Sequence, residues 1–328
     1  MTGAGGAMRV LVTGASGFIG SALCARLPQR GHHVQAMARR ASPRWPASVE
    51  PWLVPDMADL GTQALERLQR VQTVVHCAAR AHQLDEQAAD PLAEFRRVNV
   101  HATVQLAELA ARAGVARFVH LSSIGVNGPA NQGRPFHRSD TPQPATPYAL
   151  SKWEAERALD AIGARSGMAV VHLRSPLVYG RGAPGNFALL WKAVRSGLPL
   201  PLGGLREPRS FVALDNLVDL VVHLVEREQV ARGVHLVSDM QDLSTADFVA
   251  AIASGAGLPS RNWPLPAPWL RRAAALLGRG EQVDKLAARL QVDSRSLSEE
   301  LGWTPPFKVG EALRNALAPA PDSHKGNR

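Results

Sequence analysis

Three glycines after the first apolar segment restrict the fold of this chain more than any other feature. Gly14, Gly17 and Gly20 follow the apolar run 10–13 and open an amphipathic stretch. In this arrangement the first glycine permits a tight turn, the second lets the backbone approach a phosphate, and the third lets the helix pack closely on the sheet. Free N–H groups at the helix N-terminus attract a pyrophosphate. The pattern predicts a strand–turn–helix unit that binds a dinucleotide, the alternative being a structural turn without a ligand.

Further short apolar runs alternate with amphipathic stretches along the first half of the chain. Helices are predicted over 91–113 and from Tyr148 onward, and Pro28 is expected to end the first helix early. Units of this kind build a parallel sheet that helices cover on both sides. The predicted fold class is α/β, a Rossmann-type doubly wound parallel sheet with a smaller C-terminal substrate-binding lobe. The predicted strands are 10–13, 34–38, 73–77, 118–121 and 170–173.

Proline and glycine interrupt the second half of the chain. They cluster at 180–208 and again at 259–268, which suggests that the substrate-binding lobe is assembled from more than one stretch. The predicted division is a dinucleotide-binding domain over 8–175 with 211–238 returning to it, a substrate-binding lobe over 176–210 and 239–317, and a loose tail over 318–328.

Charge and cysteine content narrow the class of protein. The chain has 37 Lys and Arg against 28 Asp and Glu, a net charge of +9 that is dispersed along the sequence. An anionic small molecule fits this dispersed charge better than nucleic acid, which calls for a basic stripe with aromatic residues. Two cysteines favour a reducing compartment. With no uncharged run of roughly 20 apolar residues and no secretion signal at 1–8, we expect a cytoplasmic protein without an integral membrane segment.

The residues after the second predicted strand bear on which dinucleotide is bound. NAD-binding proteins commonly place an acid about 20 residues past the glycines, where it bonds the ribose hydroxyls. Here the segment 37–40 reads Met-Ala-Arg-Arg, without an acid. Because an arginine can pair with a 2′-phosphate, Arg39 favours NADP(H). NAD stays compatible if Arg39 and Arg40 are solvated surface charges. Asp56, after the next extended run, is a candidate for contact with the adenine edge.

A tyrosine and a lysine share one face of a predicted helix. Tyr148 and Lys152 are four residues apart, so their side chains lie one above the other. A phenol is a poor base at neutral pH, but an adjacent ammonium group favours the phenolate. The pair can then move a proton between an alcohol and a ketone while hydride is transferred. Ser122 and Ser123 end the fourth predicted strand, at the edge where open α/β sheets bind ligands.

Together these motifs resemble those of the extended short-chain dehydrogenase/reductases that act as nucleotide-sugar epimerases and dehydratases. The resemblance runs from about residue 8 to residue 317. Besides the glycine turn, the motifs that carry it are 76–79 (His-Cys-Ala-Ala), Asn99, 121–128, the pair Tyr148 and Lys152, 173–180 and 209–212. The segments 122–128, 79–82 and 301–306 are similar to a bacterial subgroup that acts on UDP-N-acetyl sugars for surface polysaccharides, as 4-epimerases or 4-keto reductases.

The resemblance implies a role for each matching residue. Tyr148 is then the catalytic base, Lys152 lowers its pKa and holds the nicotinamide ribose, and Ser123 binds the sugar oxygen. The implied substrate contacts are Ser122, Asn186 and Arg209, of which the last two hold the uridine diphosphate. The implied cofactor contacts are Gly14, Ser16, Gly17, Phe18, Ile19, Gly20, Arg39, Asp56, Met57, Ala78, Ala79, Asn99, Tyr148, Lys152 and Ser175. No metal is implied.

The family's frequent Val-Tyr-Gly is replaced here by Val-Asn-Gly at 126–128, so contacts of that tyrosine cannot be transferred. His82 is a candidate for substrate contact or an ordinary loop histidine. His76, His120 and His172 lie in predicted strands without the spacing of metal ligands, and we interpret them as hydrogen-bonded structural residues.

The expected function is hydride transfer at C4 of a UDP-activated hexose for surface polysaccharide synthesis. An epimerase takes hydride with tightly held NAD and returns it to the other face. A reductase consumes NADPH to reduce a 4-keto sugar, and Arg39 slightly favours this version. A third hypothesis is a non-catalytic Rossmann protein that senses NADP(H). The expected partners are the UDP-sugar and a second copy of the chain, in a homodimer that buries 91–113 and the Tyr148 helix.

Overall fold

The structure is a computed structural model that describes residues 6–61, 63–80, 90–276, 278 and 280–318. His82 and almost all of the tail predicted over 318–328 lie outside the described residues. Among the helices of the described residues, none is long and apolar enough to cross a membrane.

The secondary structure alternates strands and helices through the first 175 residues. The strands are β1 Arg9–Thr13, β2 His33–Ala38, β3 Glu50–Leu53, β4 Thr73–His76, β5 Arg117–Ser123, β6 Ala169–Ser175, β7 Leu177–Tyr179, β8 Pro208–Arg209, β9 Phe211–Ala213, β10 Gly233–Leu236 and β11 Leu243–Ser244. The helices are α1 Phe18–Gln29, α2 Ala64–Leu68, α3 Pro91–Arg96, α4 Ala102–Arg112, α5 Pro147–Ser166, α6 Asn186–Arg195, α7 Leu214–Glu226, α8 Thr245–Gly255, α9 Ala267–Leu276, α10 Gly280–Ala287, α11 Arg295–Glu299 and α12 Val309–Leu317.

Seven of the described strands form one parallel sheet, in the order β10-β6-β5-β4-β1-β2-β3. The chain runs outward from β1 to β3, returns to β4 beside β1, and then continues outward on the other side. The strand order therefore reverses between β1 and β4, and ligands of open α/β sheets bind at the carboxyl ends of the strands where this happens. The predicted Rossmann-type sheet is confirmed.

Both faces of the sheet are buried, which explains why its strands are continuous apolar runs. On one face Leu23 of α1 and Leu217 of α7 pack in the same core as Val12 of β1. On the other, Leu106 of α4 and Leu159 of α5 pack in a second core. The site is thus built at the edge of a rigid, fully covered sheet.

The second half of the chain adds smaller elements around this sheet. β7 pairs with β9 in parallel and β8 pairs with β11 antiparallel. A third core forms around stacked Phe211 and Phe248, whose ring centroids are 4.0 Å apart. β10 lies beside β6 in the main sheet. The division into a dinucleotide-binding domain and a substrate-binding lobe stays a prediction.

Three local features differ from the sequence expectations. The strands β3 and β10 were not among the five predicted strands: β3 contains Pro51, which disfavours strand assignment, and β10 lies in the segment 211–238, which was predicted only to return to the first domain. The first helix continues one residue past Pro28, to Gln29. The helix predicted over 91–113 is interrupted by a π-helical turn at Arg97–His101.

A buried ion pair connects α5 to the sheet. Arg174 of β6 and Glu156 of α5 are 2.6 Å apart at their closest atoms, and both side chains are less than 5% exposed. The same helix carries Glu154, which binds Arg96 at the same distance near the surface. The two carboxylates have the same chemistry and differ in burial.

We predict that Glu156→Gln lowers the free energy of unfolding by about 3–5 kcal/mol, because it leaves a buried guanidinium group unpaired. The matched change Glu154→Gln should alter it by no more than about 1 kcal/mol, because that pair is partly solvated. Urea unfolding of both variants measures the difference. Equal losses would show that burial of the Arg174 pair does not matter for stability.

Candidate active site

The glycine turn brings β1, α1 and the end of β4 into close contact. Gly14 has a φ of +61°, and a Cβ atom there would lie 2.8 Å from the backbone of Ala78. The amide of Gly17 donates to the Gly14 carbonyl at 2.8 Å, and a Cβ on Gly20 would overlap that carbonyl. Side chains at these positions would therefore force the turn, the helix and β4 apart.

The N-terminus of α1 is suited to an anion. The helix begins at Phe18 with Gly17 as its N-cap, without a side-chain cap and without an acid in its first turn. Ser16 and Gly17 are exposed and Phe18 and Ile19 are partly exposed. Uncapped N–H groups together with the helix dipole attract a phosphate. The residues present therefore fit the pyrophosphate of a dinucleotide.

The segment after β4 is held against this turn by buried hydrogen bonds. The Thr13 hydroxyl accepts from the amide of Ala78 at 3.1 Å and contacts Nδ1 of His76 at 2.9 Å. His76 Nε2 lies 2.9 Å from the hydroxyl of Thr103. Burial, with the charge of Lys152 adding to it, lowers the pKa of His76 to about 3. His76 is thus a neutral structural residue that fixes Ala78, with exposed Ala79 next to it.

Asn99 ties the same segment to α5. It lies in the π-helical turn and is 1% exposed. Its Oδ1 accepts from the amide of Arg80 at 2.8 Å, and its Nδ2 donates to the Ser151 hydroxyl at 3.0 Å. Ser151 in turn donates to the carbonyl of Tyr148 at 2.8 Å. A π-helical turn within a helix often marks a functional position. Here this turn directs the side chain of Asn99 toward the start of α5.

Tyr148 begins the first turn of α5, next to the end of β5. The Thr146 side chain caps this helix by accepting from the amide of Ala149, and Pro147 occupies its first position. Tyr148 is partly exposed, and Ser123 is close enough to influence its phenol. Burial raises the pKa of Tyr148 to about 12, and Ser123 offsets part of that rise.

Lys152, one turn later on α5, is 1% exposed. Its Nζ lies 2.7 Å from Nε2 of His120. Burial lowers the pKa of Lys152 to about 8, although the nearby carboxylate of Glu156 opposes the shift. The resemblance implied that Lys152 lowers the pKa of Tyr148. In the structure burial raises the pKa of Tyr148 instead, and the amine of Lys152 contacts a histidine.

Ser122, next to Ser123 in β5, makes a different contact. It is 5% exposed, and its hydroxyl donates to Glu156. Arg174, which also binds Glu156, donates to Oδ1 of Asn127 at 2.9 Å. The predicted substrate contact of Ser122 is therefore corrected to a buried structural contact. Asn127, which replaces the family's tyrosine, receives a buried charge-assisted hydrogen bond.

The segments expected near the adenosine end are exposed. Arg39 and Arg40 both face solvent after β2. Asp56 accepts from Arg97 at 2.8 Å and from the amide of Ala58 at 2.9 Å, and the latter contact is the main reason why its pKa is lowered. Met57 beside it is partly buried. The predicted adenine-edge residue is therefore an ionised carboxylate already bonded to a guanidinium group.

The remaining candidates lie at three different places. Ser175 ends β6 opposite Ser123, and exposed Asn186 is the first residue of α6. Arg209 donates through Nη1 to the carbonyls of Lys285 and Ala288, each at 2.6 Å. Burial lowers the pKa of Arg209 to about 10. Arg209 thus satisfies carbonyls at and just past the end of α10, a structural contact that sequence reasoning did not anticipate.

The sheet topology, the glycine turn after β1 and the helix that carries Tyr148 and Lys152 together define a class of Rossmann-type α/β proteins. The profile of the NAD dependent epimerase/dehydratase family matches residues 10–237. The chain belongs to this family and is an enzyme, as the resemblance in its motifs predicted.

Individual relatives cover nearly the whole chain. It is 39% identical over 311 residues to a UDP-glucose 4-epimerase of Vibrio cholerae, a match that covers 93% of each chain. It is 30% identical over 322 residues, again 93% of each, to a dTDP-6-deoxy-L-talose 4-dehydrogenase (NAD(P)(+)) of Kitasatospora kifunensis. Among solved structures, a Thermus thermophilus UDP-glucose 4-epimerase in complex with NAD superimposes with a TM-score of 0.74 at 26% identity, covering 94% of this chain and 98% of that one.

The close approach of Gly14 to Ala78 gives a test of the proposed cofactor cradle. We predict that Gly14→Ala weakens NADH binding by at least about tenfold, roughly 1.4 kcal/mol, because the added Cβ overlaps backbone. Gly31 also has a positive φ, of +83°, but no atom lies within 4 Å of its Cβ position. Gly31→Ala should cost about 1–2 kcal/mol of stability and leave NADH affinity unchanged. Fluorescence titration with NADH distinguishes the two variants, and equal affinities would contradict the assignment.

Proposed function

We propose that this enzyme transfers hydride at C4 of a UDP-activated hexose, as a nucleotide-sugar 4-epimerase. The observation that carries the proposal is the placement of Ser123, at the carboxyl end of β5, near Tyr148 in the first turn of α5, two strands away from the strand that leads into the glycine turn. The 39% identity to a UDP-glucose 4-epimerase over 93% of the chain supports the substrate class.

Each residue of the site has a definable part in this chemistry. A bound nicotinamide dinucleotide would supply the hydride acceptor and donor, held by the glycine turn, Ala78 and the N-terminus of α1. Tyr148 takes the proton of the C4 hydroxyl as the C4–H bond is broken and returns it when the hydroxyl is re-formed. Ser123 holds the reacting oxygen beside the phenol. Lys152, one helical turn after Tyr148, is the basic group that exchanges a proton with the phenol.

A second outcome of the same machinery is net oxidation or reduction at C4. The relative from Kitasatospora is a 4-dehydrogenase with NAD(P)(+), and the segment after β2 has exposed arginines in place of an acid. We propose that the cofactor is a nicotinamide dinucleotide and that Arg39 admits NADP(H) as well as NAD. Product analysis with UDP-glucose, UDP-galactose and their N-acetyl analogues, with each cofactor, separates interconversion from net redox chemistry.

The chain offers a matched control for the role of Tyr148, because it contains only two tyrosines. We predict that Tyr148→Phe lowers kcat for UDP-hexose interconversion by about 10²–10⁴-fold while NADH binding is retained. Tyr179, whose hydroxyl donates to Asp239 at 2.8 Å in the second half of the chain, serves as the control. Tyr179→Phe should lower thermal stability and leave kcat near that of the unsubstituted enzyme. Full activity of Tyr148→Phe would refute the proposed function.

The proposed role of Arg39 predicts a change in cofactor selectivity. Arg39→Ala should raise the Kd for NADPH by about tenfold or more, since a hydrogen bond to a charged group contributes roughly 1.5–3 kcal/mol. The Kd for NADH should not change, because the 2′-hydroxyl carries no charge. Arg40→Ala, also exposed, is the control. If Arg39→Ala weakened both dinucleotides equally, it would not be the 2′-phosphate contact.

A UDP-sugar is the proposed small-molecule partner, and surface polysaccharide synthesis the proposed context. The homodimer through 91–113 and α5, and the cytoplasmic location, stay predictions from the sequence.

A further inference from the structure

A continuous line of hydrogen bonds leads from Lys152 to the protein surface. Nζ of Lys152 is 2.7 Å from Nε2 of His120. Nδ1 of His120 is 3.1 Å from Nδ1 of His172. Nε2 of His172 is 3.0 Å from Oδ1 of Asp160. Both histidines are 0% exposed, whereas the side chain of Asp160 is 60% exposed. The line therefore begins in the buried site and ends in water.

The backbone holds this line in place. His120 of β5 and His172 of β6 are direct neighbours in the parallel register. Lys152 and Asp160 lie eight residues apart on α5, which packs over both strands. The two imidazole rings meet edge to face with centroids 5.4 Å apart. Rigid elements thus supply all four groups, as a stable hydrogen-bonded path requires.

The donors along the line can be assigned from the chemistry of its two ends. A charged Lys152 can only donate, so Nε2 of His120 accepts. A neutral His120 then carries its proton on Nδ1 and donates it to Nδ1 of His172. His172 carries its proton on Nε2 and donates it to the carboxylate of Asp160. Every donor points from Lys152 toward the surface.

The surroundings of His120 favour a neutral imidazole. Burial holds the pKa of His120 well below its usual value, with the charges of Lys152, His172 and His76 adding to the effect. The other carboxylate facing Lys152, that of Glu156, is paired with Arg174. His76 is committed to two threonine hydroxyls. The path through His120 therefore leads to Asp160 and not to these neighbours.

Loss of a proton from buried Lys152 requires such a path. With a pKa of about 12 for Tyr148 and about 8 for Lys152, both groups hold their protons at neutral pH. One proton must leave before the pair can act as a base. Lys152 is 1% exposed, so this proton cannot pass directly from its amine to bulk water.

We propose that His120, His172 and Asp160 form a proton relay that connects Lys152 with solvent. This inference rests on the proposed function, in which a base must form at Tyr148. The three residues act through Lys152 and do not touch the substrate.

The relay conserves protons at every step. One proton moves from Lys152 to Nε2 of His120, one from Nδ1 of His120 to Nδ1 of His172, and one from Nε2 of His172 to Asp160, which releases it to water. The neutral amine can then receive the phenol proton as Tyr148 takes up the hydroxyl proton of the substrate. When the hydroxyl is re-formed the transfers reverse, and the starting tautomers return.

The tautomers give a test that needs no substrate. In ¹⁵N-labelled protein, NMR should detect the ring proton on Nδ1 of His120 and on Nε2 of His172 at a pH where Lys152 is charged. Asp160→Asn should leave the fold unchanged and alter the Nε2–H signal of His172. Opposite tautomers, or a charged imidazole at either position, would overturn the relay even if the proposed function holds.

A second test uses the first hydride transfer, followed by rapid mixing of NAD-loaded enzyme with UDP-glucose. His172→Ala should slow this step by about tenfold or more without changing the apparent Kd for UDP-glucose, and added imidazole should restore the rate. The matched control is His235→Ala, since His235 is a buried histidine of β10 in the same sheet, bonded to Ser296.

The outcomes of the second test separate the proton-relay hypothesis from the proposed substrate. A His172→Ala enzyme that is folded and as fast as the unsubstituted one would overturn the relay. A slow variant with no response to imidazole would overturn it too, because a structural defect does not depend on an added base. If UDP-glucose failed to reduce the cofactor in the unsubstituted enzyme, the substrate proposal would fail, and the NMR tautomers would decide the relay alone.

Discussion

The hydrogen bond between Lys152 and His120 is the interaction on which the organisation of this site depends. A lysine side chain inside an α/β core is costly unless a polar group meets it. In this structure a row of polar contacts, here called the polar seam, lies where α5 crosses the sheet. Every fourth residue of α5 on this face is polar and meets a polar partner of β5 or β6. The seam consists of Tyr148 with Ser123, Lys152 with His120, Glu156 with Ser122 and Arg174, and Asp160 with His172.

This seam joins the chemistry to the fold. The reversal of strand order between β1 and β4 creates the crevice, and the tight turn at Gly14 keeps its two sides in contact. Asn99 and Ser151 then fix the first turn of α5 against the segment that follows β4. The phenol is therefore positioned by rigid elements on both sides, which is the condition for efficient proton transfer.

The sequence was sufficient for the sheet, the glycine turn and the Tyr148–Lys152 pair, because each depends on local spacing. It was not sufficient for contacts that depend on which strands are neighbours. The motifs assigned the catalytic role to Ser123 but also named Ser122 as a substrate contact, and only the structure shows that Ser122 binds Glu156. Arg209 was expected at a phosphate, but its guanidinium group binds carbonyls from a distant segment. The seam was nevertheless encoded as a four-residue repeat of polar residues on α5 opposite polar residues of two neighbouring strands.

The histidines show how much that register changes an interpretation. Read singly, His120 and His172 are ordinary buried strand residues, but their pairing in neighbouring strands makes them consecutive links between an ammonium group and a surface carboxylate. Such a path is reversible only if each imidazole returns to its starting tautomer. A cycle that removes and re-forms one hydroxyl restores the tautomers by itself, whereas one-way proton flow requires both rings to turn over in a close-packed core. The proposed relay is therefore consistent with epimerisation, in which the starting tautomers return without rotation of either ring.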